Sequence, residues 1–232
     1  MKGCRISLGI VVGLVLLGMS SCWLAYGPTH IRYRLTIDVK DGDSVRSGSS
    51  VVEVAYNVTL PIFRAFGGLE WAASVSGNAV TVDLGTKGLL FAIFRVGNYG
   101  NMSIYLPIAA YGLKNPDNSP EQVEADLTQL KRKSGWAAVP KDALPTLIRF
   151  GNIDDPNSAE QLDPSNLAAS FGAGVELKSV RLELTNDPIT PVPAVWPAWL
   201  KKLDTNQYAA GGSSCWIKTT PLCLQGVDFK GG

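Results

Sequence analysis

The chain of 232 residues predicts an α+β fold dominated by β-strands, with a mostly antiparallel sheet arranged as a sandwich or a meander. Short segments that alternate apolar and polar residues are typical of half-buried strands. The 24 Gly and 14 Pro residues between them indicate many turns. A single clear helix is predicted near residues 120–133, after the strand-rich part of the chain, and short helices follow it.

The first strand is predicted at residues 30–40, where every second residue is apolar. This apolar face consists of Ile31, Tyr33, Leu35, Ile37 and Val39. Residues 49–59 are rich in β-branched side chains and predict a partner strand. A turn at Asp41-Gly42-Asp43 and a polar loop that includes Arg46-Ser47-Gly48 would join the two strands into a hairpin.

Three further predictions concern the next part of the chain. Residues 69–75 and 79–84 flank a Ser-Gly-Asn turn and predict a second hairpin. The continuous apolar run at residues 88–96 predicts a buried strand. Residues 102–110 predict another strand, interrupted by Pro107.

The clear helix has a defined start. Ser119 is suited to the N-cap and Pro120 to the first helical position. An apolar stripe follows at Val123, Leu127 and Leu130. Lys131-Arg132-Lys133, the basic triplet, then complements the negative end of the helix dipole. A phosphate- or lipid-binding role for this triplet is the alternative, but a solvated helix end is favoured.

The late part of the chain predicts two strands and a loose end. Residues 145–150 form a short strand, and residues 175–185 form a longer one with a bulge near Ser179-Val180, where the alternation slips by one residue. The last residues, 229–232, are expected to fray. Short helical segments are predicted at residues 165–171 and 196–203.

Residues 6–26 are apolar and uncharged, and they follow the positive residues Lys2 and Arg5. About 21 residues of helix reach roughly 31 Å, which is enough to cross a hydrocarbon core. Three interpretations compete: a cleaved signal peptide, a lipoprotein signal, and an uncleaved anchor with Trp23 and Tyr26 at the interface. All three place residues 27–232 outside the cytoplasm.

Residues 17–22, Leu-Gly-Met-Ser-Ser-Cys, resemble the lipobox of bacterial lipoproteins, with Met19 where an aliphatic Leu is usual. The resemblance covers only this signal segment. It implies an envelope protein that is lipidated at Cys22 and faces the periplasm or the exterior. The expected organisation is a signal or anchor at residues 1–21, a tether at 22–29 and a single β-rich domain at 30–232.

The remaining cysteines predict a disulfide. Cys4 lies before the apolar segment, which leaves Cys215 and Cys223 in an oxidising compartment. Pro221 between them helps the chain to turn, so a small disulfide-closed loop is expected. A metal site is not expected, because no His or further Cys lies near enough to complete four ligands.

Several kinds of function find no support in the sequence. Of the 21 basic and 20 acidic residues, Lys2 and Arg5 belong to the signal segment, so the rest of the chain has a net charge of about −1 and offers no basis for binding nucleic acid. His30 is the only histidine, and no nucleophile motif accompanies it. No Gly-rich phosphate loop is present, and no cofactor is expected.

Two groups of residues are candidate binding sites. The acidic stretch around residues 154–163 supplies oxygen ligands, but its spacing does not match a calcium loop, so capping roles are favoured. These ligands are Asp154, Asp155, Asn157, Glu160 and Asp163. The tryptophans could line a sugar or peptide groove, although packing roles are expected for most. They are Trp71, Trp136, Trp196, Trp199 and Trp216.

The sequence therefore favours a membrane-tethered extracytoplasmic protein with a binding or structural role. One alternative is a hydrolase of envelope polymers that uses two carboxylates, since such pairs leave no signature in sequence. Another is a component of an envelope protein assembly. The ligand and the partner stay open.

Overall fold

The computed structural model describes residues 27–59, 70–96, 99–101, 104–113, 119–205, 208–210 and 224–231. It confirms the β-dominated α+β fold with antiparallel sheets. The strands are β1 (Thr29–Asp41), β2 (Ser44–Val58), β3 (Trp71–Ser76), β4 (Val80–Asp83), β5 (Leu89–Ala92), β6 (Arg95–Val96), β7 (Tyr99–Asn101), β8 (Trp136–Ala138), β9 (Leu147–Phe150), β10 (Ala159–Gln161), β11 (Val175–Leu184), β12 (Tyr208–Ala210) and β13 (Leu224–Gln225). The helices are α1 (Leu106–Ala110), α2 (Pro120–Leu130), α3 (Ala168–Phe171), α4 (Ala198–Lys202) and α5 (Gly226–Phe229).

Two larger sheets form the framework. Sheet 1 has five strands in the order β3-β2-β1-β11-β8, and sheet 2 has four in the order β10-β9-β5-β4. Two small ladders, β6–β7 and β12–β13, accompany them. Strand β4 contacts both β1 and β2, so the two sheets pack against each other. Short 3₁₀ turns at Gly85–Lys87, Lys141–Ala143 and Pro156–Ser158 connect the strands.

The first hairpin is confirmed, but its strands are longer than predicted. Asp41 pairs with Ser44, so only Gly42 and Asp43 form the turn. Gly42 takes a positive φ of 61°, which the turn requires. The loop predicted around Gly48 is wrong, because these residues continue β2. A Cβ at Gly48 would overlap the carbonyl oxygen of Thr81, so glycine here permits close approach of sheet 2.

The second predicted hairpin is also wrong. β3 pairs with β2 in sheet 1, whereas β4 pairs with β5 in sheet 2. The turn between them therefore passes the chain from one sheet to the other. Its polar groups pair with the C-terminal segment instead: Gly231 donates its N–H to the Gly77 oxygen at 2.9 Å, and Ala79 donates to the Phe229 oxygen at 2.7 Å.

Two more strand predictions need correction. The run at residues 88–96 is broken after Ala92 and continues as the short strand β6. The strand predicted at residues 102–110 is wrong, since Leu106–Ala110 form helix α1. Pro107 lies in the first turn of that helix, where a missing N–H costs nothing.

The predicted helix is confirmed as α2. The Ser119 side chain accepts a hydrogen bond from the Gln122 N–H at 3.2 Å, and Pro120 opens the helix. Val123, Leu127 and Leu130 are buried in the core. The helix ends at Leu130, so the basic triplet follows its last turn instead of occupying it.

The late strands are confirmed at β9 and β11. The β1–β11 register slips between Asp38–Ser179 and Val39–Leu177, which leaves Lys178 as the extra residue of a bulge. The bulge lies one residue from the predicted position. The short helices are shorter than predicted, at α3 and α4.

The inner core lies between the two sheets. The predicted apolar face of β1 is buried there, as are the apolar residues of β2, β4 and α2. Its fully buried side chains include Tyr33, Ile37, Val52, Val54, Val82, Leu90, Leu130 and Leu182. This face of sheet 1 therefore holds the sandwich together, and the other face of sheet 1 is left for other roles.

A second core covers the outer face of sheet 2. Phe91 and Phe150 project from the sheet and contact Phe229 at ring-centroid distances of 6.0 and 6.2 Å. The Trp196 ring also packs against Phe91. The frayed end predicted at residues 229–232 is wrong as far as Gly231, because Phe229 is completely buried; Gly232 lies outside the described residues.

Candidate functional site

The solvent face of sheet 1 is the surface on which charged side chains collect. The alternation that buries Tyr33 and Leu35 turns Arg32, Arg34 and Asp38 outwards. Most of their neighbours on β2 and β11 in the strand register are also polar or charged, namely Glu53, Ser47, Ser179 and Glu183, and the exception is Val51 opposite Arg34. Arg181 of β11 lies opposite Thr36 on the same face. We call this surface the open face.

Asp38 lies at the centre of the most buried polar network on the open face. Its carboxylate accepts hydrogen bonds from the hydroxyls of Ser47 and Ser179, each at 2.6 Å, and it pairs with Arg181 at 3.1 Å. Burial alone would raise the pKa of Asp38, but the two hydroxyls and Arg181 outweigh it and lower the pKa below its usual range. The group is therefore held as an anion.

Glu53 organises the end of the open face nearest the start of β1. It accepts a hydrogen bond from Arg32 Nε at 2.6 Å and lies 3.1 Å from His30 Nδ1. The Arg32 hydrogen bond is the main cause of a lowered Glu53 pKa. His30 therefore belongs to a surface ion-pair cluster, and this contact gives it no catalytic partner of the serine or cysteine type.

The segment after β11 crosses the open face. Asp187 forms an ion pair with Arg34, which also lies 3.2 Å from Glu183. Thr190 then bonds to both backbone groups of Val51 at the edge of β2. This crossing accounts for the burial of Val51, which projects towards the open face yet is only 2% exposed.

Trp136 is the most exposed large apolar side chain of the described residues, at 67%. It opens β8, an edge strand, and lies opposite Glu183 of β11. Together with Arg34, Thr36 and Arg181 it lines a depression of about 230 Å³. An indole ring beside two guanidinium groups is a composition typical of protein interaction surfaces.

A larger groove of about 700 Å³ runs along the edge of β11 beyond the end of β8. Its walls mix apolar and charged groups, among them Leu144, Leu177 and Lys178. The bulge at Lys178 and the charged side chain of Glu176 are features that protect a sheet edge against strand addition. The groove is therefore a weaker candidate for a binding site than the surface around Trp136.

The acidic cluster weighed for calcium does not converge on one point. Asp155 accepts from the Asn157 N–H at 2.9 Å, Asp163 accepts from Ser165, and Glu160 pairs with Arg149 at 2.8 Å. These contacts are local turn caps and a surface ion pair, as favoured from the sequence. Within the described ranges, no group of three His, Cys, Asp or Glu residues is placed to hold a metal ion.

The hydrolase alternative requires a carboxyl group that stays protonated near neutral pH. The pKa values of Asp38 and Glu53 on the open face are shifted downwards. Burial raises the pKa of Asp228 despite Gln225 and Arg95, but this carboxyl of helix α5 is buried and is bonded to Arg95 at 2.9 and 3.2 Å. None of these three carboxyls combines an upward pKa shift with access to substrate.

Most of the described tryptophans pack against the fold, as expected from the sequence, and Trp136 is the exception. Trp196 donates to Thr81 Oγ1 at 2.7 Å, Trp199 donates to the Ile153 oxygen at 2.8 Å, and Trp71 packs against Tyr105. Trp136 alone among those described projects into solvent. Sequence reasoning grouped it with the others, and the only local signal was its place on a three-residue strand directly after Gly135.

Some predicted sites fall outside the described part of the chain. Cys22, Cys215, Cys223 and Trp216 all lie there, as does the apolar segment at residues 6–26. Within the described ranges, no helix is both long and apolar enough to span a membrane. The lipidation and the disulfide stay predictions.

Comparisons with known proteins add no family: no protein-family model matches the chain, and searches of curated proteins and of solved structures find no match.

Proposed function

We propose that the chain is a membrane-tethered, extracytoplasmic binding protein that docks a partner protein of the cell envelope on the open face of sheet 1, around Trp136. The observation that carries the proposal is the 67% exposure of Trp136 beside Arg34 and Arg181. Burying such a ring contributes strongly to binding, because aromatic and arginine side chains dominate interface energies. The N-terminal sequence supports the tether.

The surroundings of Trp136 favour binding over catalysis. Arg34 is fixed by Glu183 and Asp187, and Arg181 is fixed by Asp38. Side chains that are already ordered lose little conformational entropy when a partner docks. The mixed charges of these ion pairs suit a partner surface with its own alternating charges, since they supply specificity and register.

A photo-crosslinking experiment tests the proposal. The full chain carries p-benzoylphenylalanine at Trp136 and is irradiated in the membranes of its own cells. We expect one discrete adduct, which disappears when Arg181→Gln is added. The matched control places the same group at Val45, which is 46% exposed on the same face but lies near the β1–β2 turn. No adduct, or the same adducts from both positions, would overturn the proposal.

A further inference from the structure

A second group of basic side chains lies at the end of sheet 1 where β1 begins. Lys131, Lys133, His30 and Arg32 line a depression of about 340 Å³, which we call the basic patch. We propose that the basic patch binds the anionic phospholipid headgroups of the membrane that holds the chain. The inference rests on the tether proposed above, but not on the partner site at Trp136.

The positive charge of the patch comes from Lys131 and Lys133 of the basic triplet. Glu53 neutralises Arg32 and also contacts His30. No carboxylate among the described residues forms an ion pair with Lys131, Arg132 or Lys133. The Lys131 ammonium instead reaches Thr29 Oγ1 at 3.4 Å, at the first residue of β1. The tertiary fold therefore places lysines that follow α2, and that form no ion pair with a described carboxylate, beside the start of β1.

The start of β1 is also the part of the domain nearest to the predicted membrane segment. Thr29 is three residues beyond Tyr26, a span of at most about 11 Å for an extended chain. If Cys22 carries the lipid, seven residue steps separate it from Thr29, at most about 25 Å. Either tether is short enough for the basic patch to rest on the headgroup layer.

The chemistry of the depression fits a phosphate group. Lysine ammonium groups bind phosphate as point charges, and the side chains of Ser134 and Asn186 in the same lining offer neutral hydrogen-bond donors. An anionic membrane surface attracts basic side chains within a Debye length, about 8 Å at physiological ionic strength. The contact should therefore require anionic lipid and weaken with salt.

Lysine footprinting on the full chain tests the proposal. The protein is reconstituted in nanodiscs of phosphatidylcholine alone or mixed with phosphatidylglycerol, and acetylation rates are read by mass spectrometry. We expect acetylation of Lys131 and Lys133 to slow several-fold in the anionic discs and to recover in high salt. Lys141 and Lys178 are exposed lysines towards the opposite end of β11 and serve as internal controls.

Matched variants sharpen the result. Hydrogen exchange of β8 should slow in anionic discs for the wild type and for Lys141→Gln/Lys178→Gln, but not for Lys131→Gln/Lys133→Gln. If the chain binds both kinds of disc and Lys131 and Lys133 are acetylated at the same rate in both, lipid binding by the basic patch is refuted, while the membrane tether is not. A chain that binds neither disc would overturn both.

Discussion

The outer faces of the two sheets differ in composition and in how far they are covered. Sheet 2 carries Phe91 and Phe150 on the face turned away from the inner core, and Trp196 and Phe229 cover them. Sheet 1 carries arginines, carboxylates and hydroxyls on the corresponding face, and most of these side chains are half-buried or exposed. The same sandwich therefore has one face sealed by its own C-terminal segment and one face left open.

The difference concerns the partners of the aromatic side chains on the two sheets. On sheet 2 the indole N–H groups of Trp196 and Trp199 have partners within the chain. On sheet 1, the Trp136 side chain forms no hydrogen bond or ring contact with the described residues and is 67% exposed. Aromatic rings on sheet 2 stabilise the fold, whereas the ring on the open face is free to stabilise a complex. Four predictions test this comparison, from the largest expected effect on stability to the smallest.

Phe229→Ala should disrupt the aromatic packing on the outer face of sheet 2. Removing a fully buried ring that contacts Phe91 and Phe150 leaves a cavity, so we expect a loss of about 3–5 kcal/mol in the free energy of unfolding. Urea denaturation followed by circular dichroism measures it. Val45→Ala on the open face is the control, and equal losses in both variants would contradict the assignment of the second core.

Asp228→Asn tests whether a buried ion pair contributes more to the free energy of unfolding than an exposed one. Asp228 holds α5 to β6 through Arg95 and accepts the Gln225 N–H at 2.8 Å. Asn loses the charge-assisted hydrogen bonds with Arg95, but it also removes a charge that burial disfavours, as the raised pKa of Asp228 indicates, so we expect a net cost of about 2 kcal/mol. Asp187→Asn on the open face removes an exposed pair with Arg34 and should cost much less. Similar denaturation midpoints for the two variants would refute this ranking.

Asp38→Asn tests the anionic centre of the open face. We expect a loss of about 1–2 kcal/mol near neutral pH, from weakened charged hydrogen bonds with Ser47, Ser179 and Arg181. Because the folded pKa of Asp38 is lowered, its contribution is present above the unfolded value of about 3.9 and is lost as pH falls through the folded pKa. The variant should thus lose less stability than the wild type in acid. Parallel pH profiles of unfolding would rule out this role.

Trp136→Ala should leave the fold almost unchanged, within about 0.5 kcal/mol, because the side chain is 67% exposed. The same change should abolish binding to any partner isolated by the crosslink at this position. Thermal unfolding and a binding titration with that partner measure the two effects. A large loss of stability would show that the ring packs against the fold and would remove the basis of the proposed site.

Local pattern was sufficient where an element depends on its own residues. The alternation in β1, the Ser119 cap with Pro120, and the slip near Lys178 all act within one strand or one helical turn. The predictions failed where a distant segment decided the outcome. The sequence around Gly48 predicts a loop, yet Gly48 lies within β2. Glycine is required there because the Thr81 backbone of sheet 2 packs directly against it.

The candidate site was much less predictable than the fold. Trp136 and Trp196 have similar small and apolar neighbours in sequence, and one is exposed while the other is buried. The difference arises because Trp136 lies on β8, at the edge of sheet 1, whereas Trp196 packs against Phe91 and Phe229 on the outer face of sheet 2. The pairing of Lys131 with Thr29 joins positions far apart along the chain, which no local pattern contains.

By itself, the sequence determined the β-rich class, the inner face of β1 and the start of α2, because side-chain period and helix caps are local properties. It also predicts the export segment and Cys22. Tertiary structure alone decided that the turn at Gly77 joins two sheets, that the end of the chain seals sheet 2, and that Trp136 and the basic triplet are exposed on sheet 1 and beside it. These outcomes depend on which surfaces meet, and burial is a property of the assembled surfaces.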